Sequence, residues 1–312
     1  MPVSATYAGD KPSQTVIHDR QHGALDFSLG ESKYSGELEY NKTYKVNFYV
    51  NPPAGSSIKV AKTYVYWVWS KKGLEGIYPQ FNASLINSDT VIPLTDGHMY
   101  VDTKGFVSRY DYFSGMNAYD LSGKISQSGN YSISLVNTDK NGSTFCVQGI
   151  GLLLVYEDPK SPTIEYWINE GCDMLYADYG VTPEMATTTT FFKGDINPNE
   201  IAEARLITVS PSGGYSSGRE TRSRLCFNEK TSSIPVIGDI IQLLFGSGKS
   251  WDNVYQTNET VQIALDEKLV LDYLEPTENF ASIQDNGDYL LATNAILVLK
   301  VKEPESSEKR GS

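Results

Sequence analysis

The chain has 312 residues, 40% of them apolar and 21% charged, a length that favours about two domains with real cores and excludes disorder, collagen and coiled coil. Lys+Arg 26 against Asp+Glu 38 gives a formal net charge of −12, a field that repels nucleic acid and anionic headgroups, so no nucleic-acid partner is expected. Three histidines (His18, His22, His98) and three cysteines (Cys146, Cys172, Cys226) leave few groups from which to build a metal or nucleophilic centre.

The N-terminal stretch MPVSATYAGDKPSQ has neither a basic n-region nor an apolar core, so no signal peptide is expected on this chain; an exported protein would have lost it by cleavage. Residues 1–5 and 303–312 read as linker or tag ends outside the fold. Strand signals, alternating or β-branched and aromatic, follow at 44–50, 59–69, 131–136, 145–156, 187–192, 204–209, 222–227, 261–265, 280–284 and 289–301. Turn clusters such as Asn51-Pro-Pro-Ala-Gly55, Asp139-Lys-Asn-Gly142, Pro211-Ser-Gly-Gly214 and Asp285-Asn-Gly-Asp288 separate them. Helix is expected only in short pieces, at 183–186 and 235–245. The apolar window 234–245 is interrupted by Pro235, Asp239 and Gln242 and is too short to cross a bilayer, so no transmembrane segment is expected.

Three blocks recur in order. Residues 60–67 resemble 201–208, 120–125 resemble 269–274, and 149–155 resemble 293–299, with offsets of 141, 149 and 144. Near-constant spacing argues for a duplicated unit. The expected fold is all-β, two tandem β-sandwich (jelly-roll-like) domains at 6–157 and 163–302 with little helix. The seam falls in Glu157-Asp-Pro-Lys-Ser-Pro162, where two prolines interrupt pairing.

The string Tyr166-Trp-Ile-Asn-Glu-Gly-Cys-Asp-Met-Leu175, preceded by Gly151-Leu-Leu-Leu-Val-Tyr-Glu-Asp158, resembles an uncharacterised cell-surface protein family of methanogenic archaea that includes sheath and envelope structural proteins. Supporting stretches are Tyr7-Ala-Gly-Asp10, Tyr64-Val-Tyr-Trp-Val-Trp-Ser70, Tyr179-Gly-Val-Thr-Pro-Glu184, Gly287-Asp-Tyr289 and Asn294-Ala295, so the resemblance spans nearly the whole chain. It implies export through a cleaved leader, a β-rich repeating fold and a structural role, and it brings no catalytic residues. The stretch 216–248 is longer and more apolar than the resemblance leads one to expect.

Sequons stand at Asn41, Asn82, Asn130, Asn141 and Asn258, each readable as a glycan acceptor or a plain turn residue. Cys146 and Cys172 are close enough in sequence to staple the two domains, with Cys226 left as a free or intermolecular thiol; the alternative is three buried thiols. Glu165, Glu170 and Asp173 could be imagined as a carboxylate pair for glycoside hydrolysis, but acids beside a Gly-Cys-Asp turn are expected to be solvated. Ser210-Pro-Ser-Gly-Gly214 lacks a nucleophile elbow, and 246–249 lacks the rest of a phosphate loop. The acidic turns 139–142 and 285–288 could hold Ca²⁺ or be bare turns. Tyr64 and Tyr66, with Trp67 and Trp69 on the alternate face, could stack sugars, but alternation turns one set inward, so at least half of them are expected in the core.

No enzyme activity is expected. The expected role is a secreted subunit whose partner is itself, assembled into a sheath or surface layer of the extracellular envelope. Its contacts would run through edge strands such as 61–69 and 149–156, which carry little charge, unless both are central. The alternative is an envelope-anchored carbohydrate- or protein-binding module without lattice formation.

Overall fold

The structure, a computed structural model, describes residues 9–88, 90–104, 112–178, 180–213, 222–229 and 248–303. The segment 235–245 and the ends at 1–5 and 304–312 lie outside the described residues. The chain is nearly all β. The first half contributes β1 (Gln14–Ser28), β2 (Glu37–Leu38), β3 (Thr43–Val50), β4 (Ser57–Lys72), β5 (Glu75–Gly76), β6 (Phe81–Asn87), β7 (Thr90–Leu94), β8 (His98–Asp102), β9 (Phe113–Asp120), β10 (Gly129–Asn137) and β11 (Thr144–Glu157). The second contributes β12 (Thr163–Leu175), β13 (Thr187–Phe192), β14 (Ile201–Pro211), β15 (Arg224–Phe227), β16 (Lys249–Asp252), β17 (Ile263–Leu269), β18 (Asn279–Gln284) and β19 (Leu290–Val301). All ten expected strands form. The helix expected at 183–186 is instead a single turn, closed by Ala186 N–H donating to Thr182 O at 2.9 Å.

One eleven-stranded sheet runs β17-β14-β19-β12-β1-β11-β4-β9-β8, with β2 added on β11 and β5 on β4, and two four-stranded sheets run β3-β10-β6-β7 and β13-β18-β15-β16. The halves repeat one plan: β9-β4-β11-β1 corresponds to β17-β14-β19-β12, and the small sheets match strand for strand. The repeated sequence blocks fall on it, since 60–67 and 201–208 lie in β4 and β14 and 149–155 and 293–299 in β11 and β19.

Each small sheet covers its own half of the large one. Val46, Phe48, Leu85, Ile133 and Leu135 close over Val65, Trp67, Val147 and Ile150, while Phe192, Leu225, Phe227 and Ile283 close over Trp167, Leu206, Leu297 and Leu299. The large sheet then folds back on itself. A third core joins Tyr64, Tyr66, Met116 and Leu153 of the first half to Ile168, Ile207, Val209, Ile296 and Val298 of the second. Both faces of the central strands are therefore buried, and their sequences read as near-continuous apolar runs.

β1 makes the join. Its residues from Gln14 to His22 pair with β12, and those from Gly23 to Ser28 pair with β11. Gly23 sits at the changeover with φ +152°, where a Cβ would lie 1.8 Å from Tyr156 O, so a larger residue would break the switch.

This layering decides two alternatives that the sequence left open. The strands spanning 61–69 and 149–156, β4 and β11, are interior and have no free edge to offer a neighbour. The aromatic row is no sugar platform either: Tyr64, Tyr66 and Trp67 are each 0% exposed, and only Trp69, turned by a bulge between Trp67 and Ser70, reaches the surface. Among the described residues, no helix is long and apolar enough to cross a membrane.

Candidate functional site

The conspicuous chemistry gathers where the two halves meet, on β12 and the end of β8. The polar run Asn169-Glu170-Gly171-Cys172-Asp173 does not form a turn; it is the interior of a thirteen-residue strand, with a bulge against β19 between Glu170 and Asp173. Gly171 is required there because a Cβ would come within 2.7 Å of the Ser13 Cα, so the N-terminal segment can pass directly over the strand.

That segment delivers Asp10 and Lys11 to two buried acids. Lys104 Nζ donates to Asp173 Oδ1 at 2.8 Å, meets Asp102 Oδ2 at 2.8 Å and pairs with Asp10. Lys11 N–H donates to Asp173 Oδ2 at 3.1 Å, Lys11 Nζ lies 3.1 Å from Asp102 Oδ1, and Met174 N–H donates to Asp102 Oδ2 at 2.7 Å. Burial opposes the charge on Lys104, but the carboxylates of Asp173 and Asp102 and the bonds to Asp10 and Asp102 outweigh it and hold the ammonium above its usual range. Burial pushes the Asp173 carboxyl up, and the Lys104 charge only partly draws it back.

Beside this cluster lies Glu170, 2% exposed. Tyr64 Oη donates to its Oε1 at 2.8 Å, Tyr100 Oη donates to its Oε2 at 3.0 Å, and Lys62 pairs with it. Tyr66 Oη donates to Asn294 Oδ1 at 2.6 Å. Burial first, and the Glu170 charge second, keep Tyr64, Tyr66 and Tyr100 protonated well beyond the ordinary phenol range, so they act as donors. Every one of these bonds crosses from the first half to the second.

The expectation that these acids are solvated is therefore wrong for Glu170 and Asp173. It is met only in part by Glu165, which stands on the opposite side of β12 with its side chain 15% exposed, 2.9 Å from His18 Nε2 and 3.6 Å from Arg20 Nη1. Glu165 and Glu170 cannot face one glycosidic bond across a cleft, because strand alternation sends them to opposite faces.

Asp10, Asp102 and Asp173 bring three carboxylate oxygens within 4.8 Å of one another, the hard donor set that Ca²⁺ takes. Lys104 already supplies the counter-charge at that place, so a divalent ion would have to displace its ammonium. The acidic turns use their oxygens locally. Asp285 accepts from Ala177, Gly287 and Asp288 N–H, and Asp139 accepts from Asn141 and Ser143 N–H, as turn residues do.

The expected Cys146–Cys172 bridge is not formed: all three cysteines are free and buried, and Cys146 and Cys172 share a small apolar cluster with Val68, Met174 and Leu291. Cys226 is likewise free and buried. Burial raises the pKa of each thiol, that of Cys226 to about 12, so none is a ready nucleophile. The five sequon asparagines, Asn41, Asn82, Asn130, Asn141 and Asn258, are all exposed, Asn82 and Asn130 on strands and the others in turns or loops.

Sequence reasoning singled out Glu170 and Asp173 but missed Lys62, Asp102, Lys104 and Tyr100. Tyr100 and Asp102 stand on β8, which has a mixed pattern with no clean alternation, Lys62 stands on β4 and Lys104 just past β8, and the one available signal was the acid-rich interior of the β12 string.

A family described as "Protein of unknown function (DUF3344)" matches residues 6–300. No curated protein matches the chain. Among solved structures it is similar to PNGase F, a glycosylasparaginase from Flavobacterium meningosepticum, at 11% identity over 90% of this chain and 97% of that one, with a TM-score of 0.27. It is also similar to the major capsid protein P2 of bacteriophage PM2, at 9% identity over 90% of this chain and 99% of that one, with a TM-score of 0.21. Likenesses this faint carry neither chemistry nor partner across.

Proposed function

The chain belongs to the DUF3344 family, whose function is not known, and we propose that it is an exported structural subunit of a cell-envelope layer that self-associates into a sheath or surface array. In this reading the fold is two tandem jelly-roll-like sandwiches, 6–157 and 163–302, fused through β1 and β12 into one slab.

The observation that supports it is the closed network between the halves. Glu170 is held by Lys62, Tyr64 and Tyr100 and Asp173 by Lys104 and Lys11, all across the seam, while Asp102 pairs with Lys104 and Lys11 of its own half and accepts from Met174 N–H of the other. A slab so tied resists shear between its halves, which is what a tile in a layer under tension requires.

Assembly runs through side-chain faces in this reading. Three of the six outermost described strands carry devices that discourage edge pairing, Pro93 in β7, Lys249 and Asp252 in β16, and Asp266-Glu267-Lys268 in β17, while β3, β8 and β13 form the other edges.

Two measurements test the proposal. Protease added to intact producing cells should cleave the chain, and negative-stain imaging of concentrated purified protein should show ordered sheets or tubes. A chain protected inside the cell, or one that sediments as a monomer at every concentration reached, overturns it.

A further inference from the structure

The small sheet of the first half turns to solvent a face with little charge, on a chain whose formal net charge is −12. Alternation along β3, β10, β6 and β7 leaves Lys45 as its only charged residue, and Asn47, Ser132, Ser134 and Ser84 form its centre. Register places Asn130 opposite Tyr49 at one end of the face and Asn82 opposite Val136 at the other. Both asparagines are exposed. Residues two apart on a strand share a face, so the hydroxyl residues of the two sequons, Ser84 and Ser132, point outward with them.

Two more sequons stand at the margin of this sheet. Asn41 N–H donates to Asn137 O at 2.8 Å, where β10 ends, and Asn141 lies in the turn that follows, its N–H on Asp139 Oδ1 at 2.7 Å. The distribution is selective. Six asparagines are buried, Asn117, Asn137, Asn169, Asn228, Asn279 and Asn294, and none of the six begins a sequon. The side-chain oxygen of Asn258, on the second half, accepts from Thr260 N–H and Val261 N–H at 2.9 Å each, a loop-stabilising use that sets it apart from the other four.

We propose that Asn82 and Asn130 carry N-linked glycans that lie over the outer face of the β3-β10-β6-β7 sheet, with Asn41 and Asn141 as acceptors at its margin. This rests on the export proposed above, because the donor is an oligosaccharide on a lipid phosphate met during export. In the transfer, Nδ2 bonds to the anomeric carbon, the carbon–oxygen bond to phosphate breaks, the phosphate leaves with the electron pair, and one amide proton passes to a base of the transferase. Sugars then supply the hydration that charge supplies elsewhere. Bare, a flat uncharged sheet face is suited to stack on another sheet at a spacing of about 10 Å.

The test is peptide and intact mass spectrometry on the protein isolated from the cells that make it, beside surface proteolysis of those cells. Peptides containing Asn82 and Asn130 are expected to carry saccharide mass. Ser84→Ala and Ser132→Ala should each remove one saccharide increment while leaving the asparagine in place, and Asn82→Gln and Asn130→Gln should remove the same increments. Unmodified Asn82 and Asn130 peptides from protein that surface protease reaches overturn this inference and leave the envelope reading standing. Protein sheltered from the protease overturns the envelope reading and the glycans with it.

Discussion

Between the two halves, Glu170, Asp173, Asp102 and Lys104 are buried in ion pairs and hydrogen bonds, while on the far side of the first half four strands meet water with Lys45 as their only charge. Globular proteins usually distribute charge the other way. The seam tolerates its charges because each is matched, Glu170 and Asp173 by lysines of the opposite half and Asp102 by lysines of its own, and a buried ion is costly only when unmatched. The outer face needs a different source of hydration, which four exposed sequons in and beside it can provide. Buried charge in this molecule therefore marks where the halves are fastened together, and the sparsely charged outer face is the one proposed to be covered.

The sharpest way to break that comparison is to unmatch the seam. Lys104→Met leaves Asp102 and Asp173 buried without their shared counter-charge and should cost about 3–5 kcal/mol, read as a lowered midpoint of urea unfolding. Adding Asp102→Asn and Asp173→Asn removes the stranded charges and should restore most of the loss. A triple variant no more stable than the single would show that Lys104 matters for packing and not for charge.

A finer cut separates charged from neutral acceptors. Tyr64→Phe deletes a donor to the Glu170 carboxylate and should cost about 1.5–3 kcal/mol, whereas Tyr66→Phe deletes a donor to the neutral Asn294 amide and should cost about 0.5–1.5 kcal/mol. Equal losses in calorimetry would mean that Glu170 carries no charge in the folded seam.

Acidity probes the same place. The Asp173 carboxyl is raised above 3.8, chiefly by burial, so the folded state holds its proton more tightly than the unfolded chain. Its contribution to stability is fully present below 3.8 and is lost as pH rises through the raised value. Asp173→Asn lacks that titration. Denaturant melts across this window should show wild-type stability falling relative to the variant as pH climbs, and parallel curves would place the titration elsewhere.

Much of this was legible in sequence. All ten strands with alternating or β-branched patterns formed, and the three repeated blocks fell on corresponding strands or the turns before them. Strands were missed where burial and pattern part company. β1 reads as polar because its stretch Gln14–His22 runs along the surface with His18, Asp19 and Arg20 in it, and β12 reads as a turn because Glu170 and Asp173 are buried acids that alternation rules assign to solvent. The seam depends on tertiary partners, Lys104 for Asp173 and Tyr64 for Glu170, that lie 69 and 106 residues away, and no local spacing announces them.

The smallest effect on stability is expected on the outer face, and there the comparison can be turned from folding to association. Val91 is 60% exposed on β7, beside Ile86 of β6, and its side chain supports no core. Val91→Lys should therefore change unfolding free energy by less than about 0.5 kcal/mol. It also adds a second charge to a face that otherwise holds only Lys45. In protein produced without glycans, the wild-type face should drive self-association in sedimentation velocity, and the added lysine should weaken it, more at low salt than at high salt because the repulsion is screened. A larger stability loss would mean that the face is packed against something, and unchanged association would mean that bare copies do not meet through it.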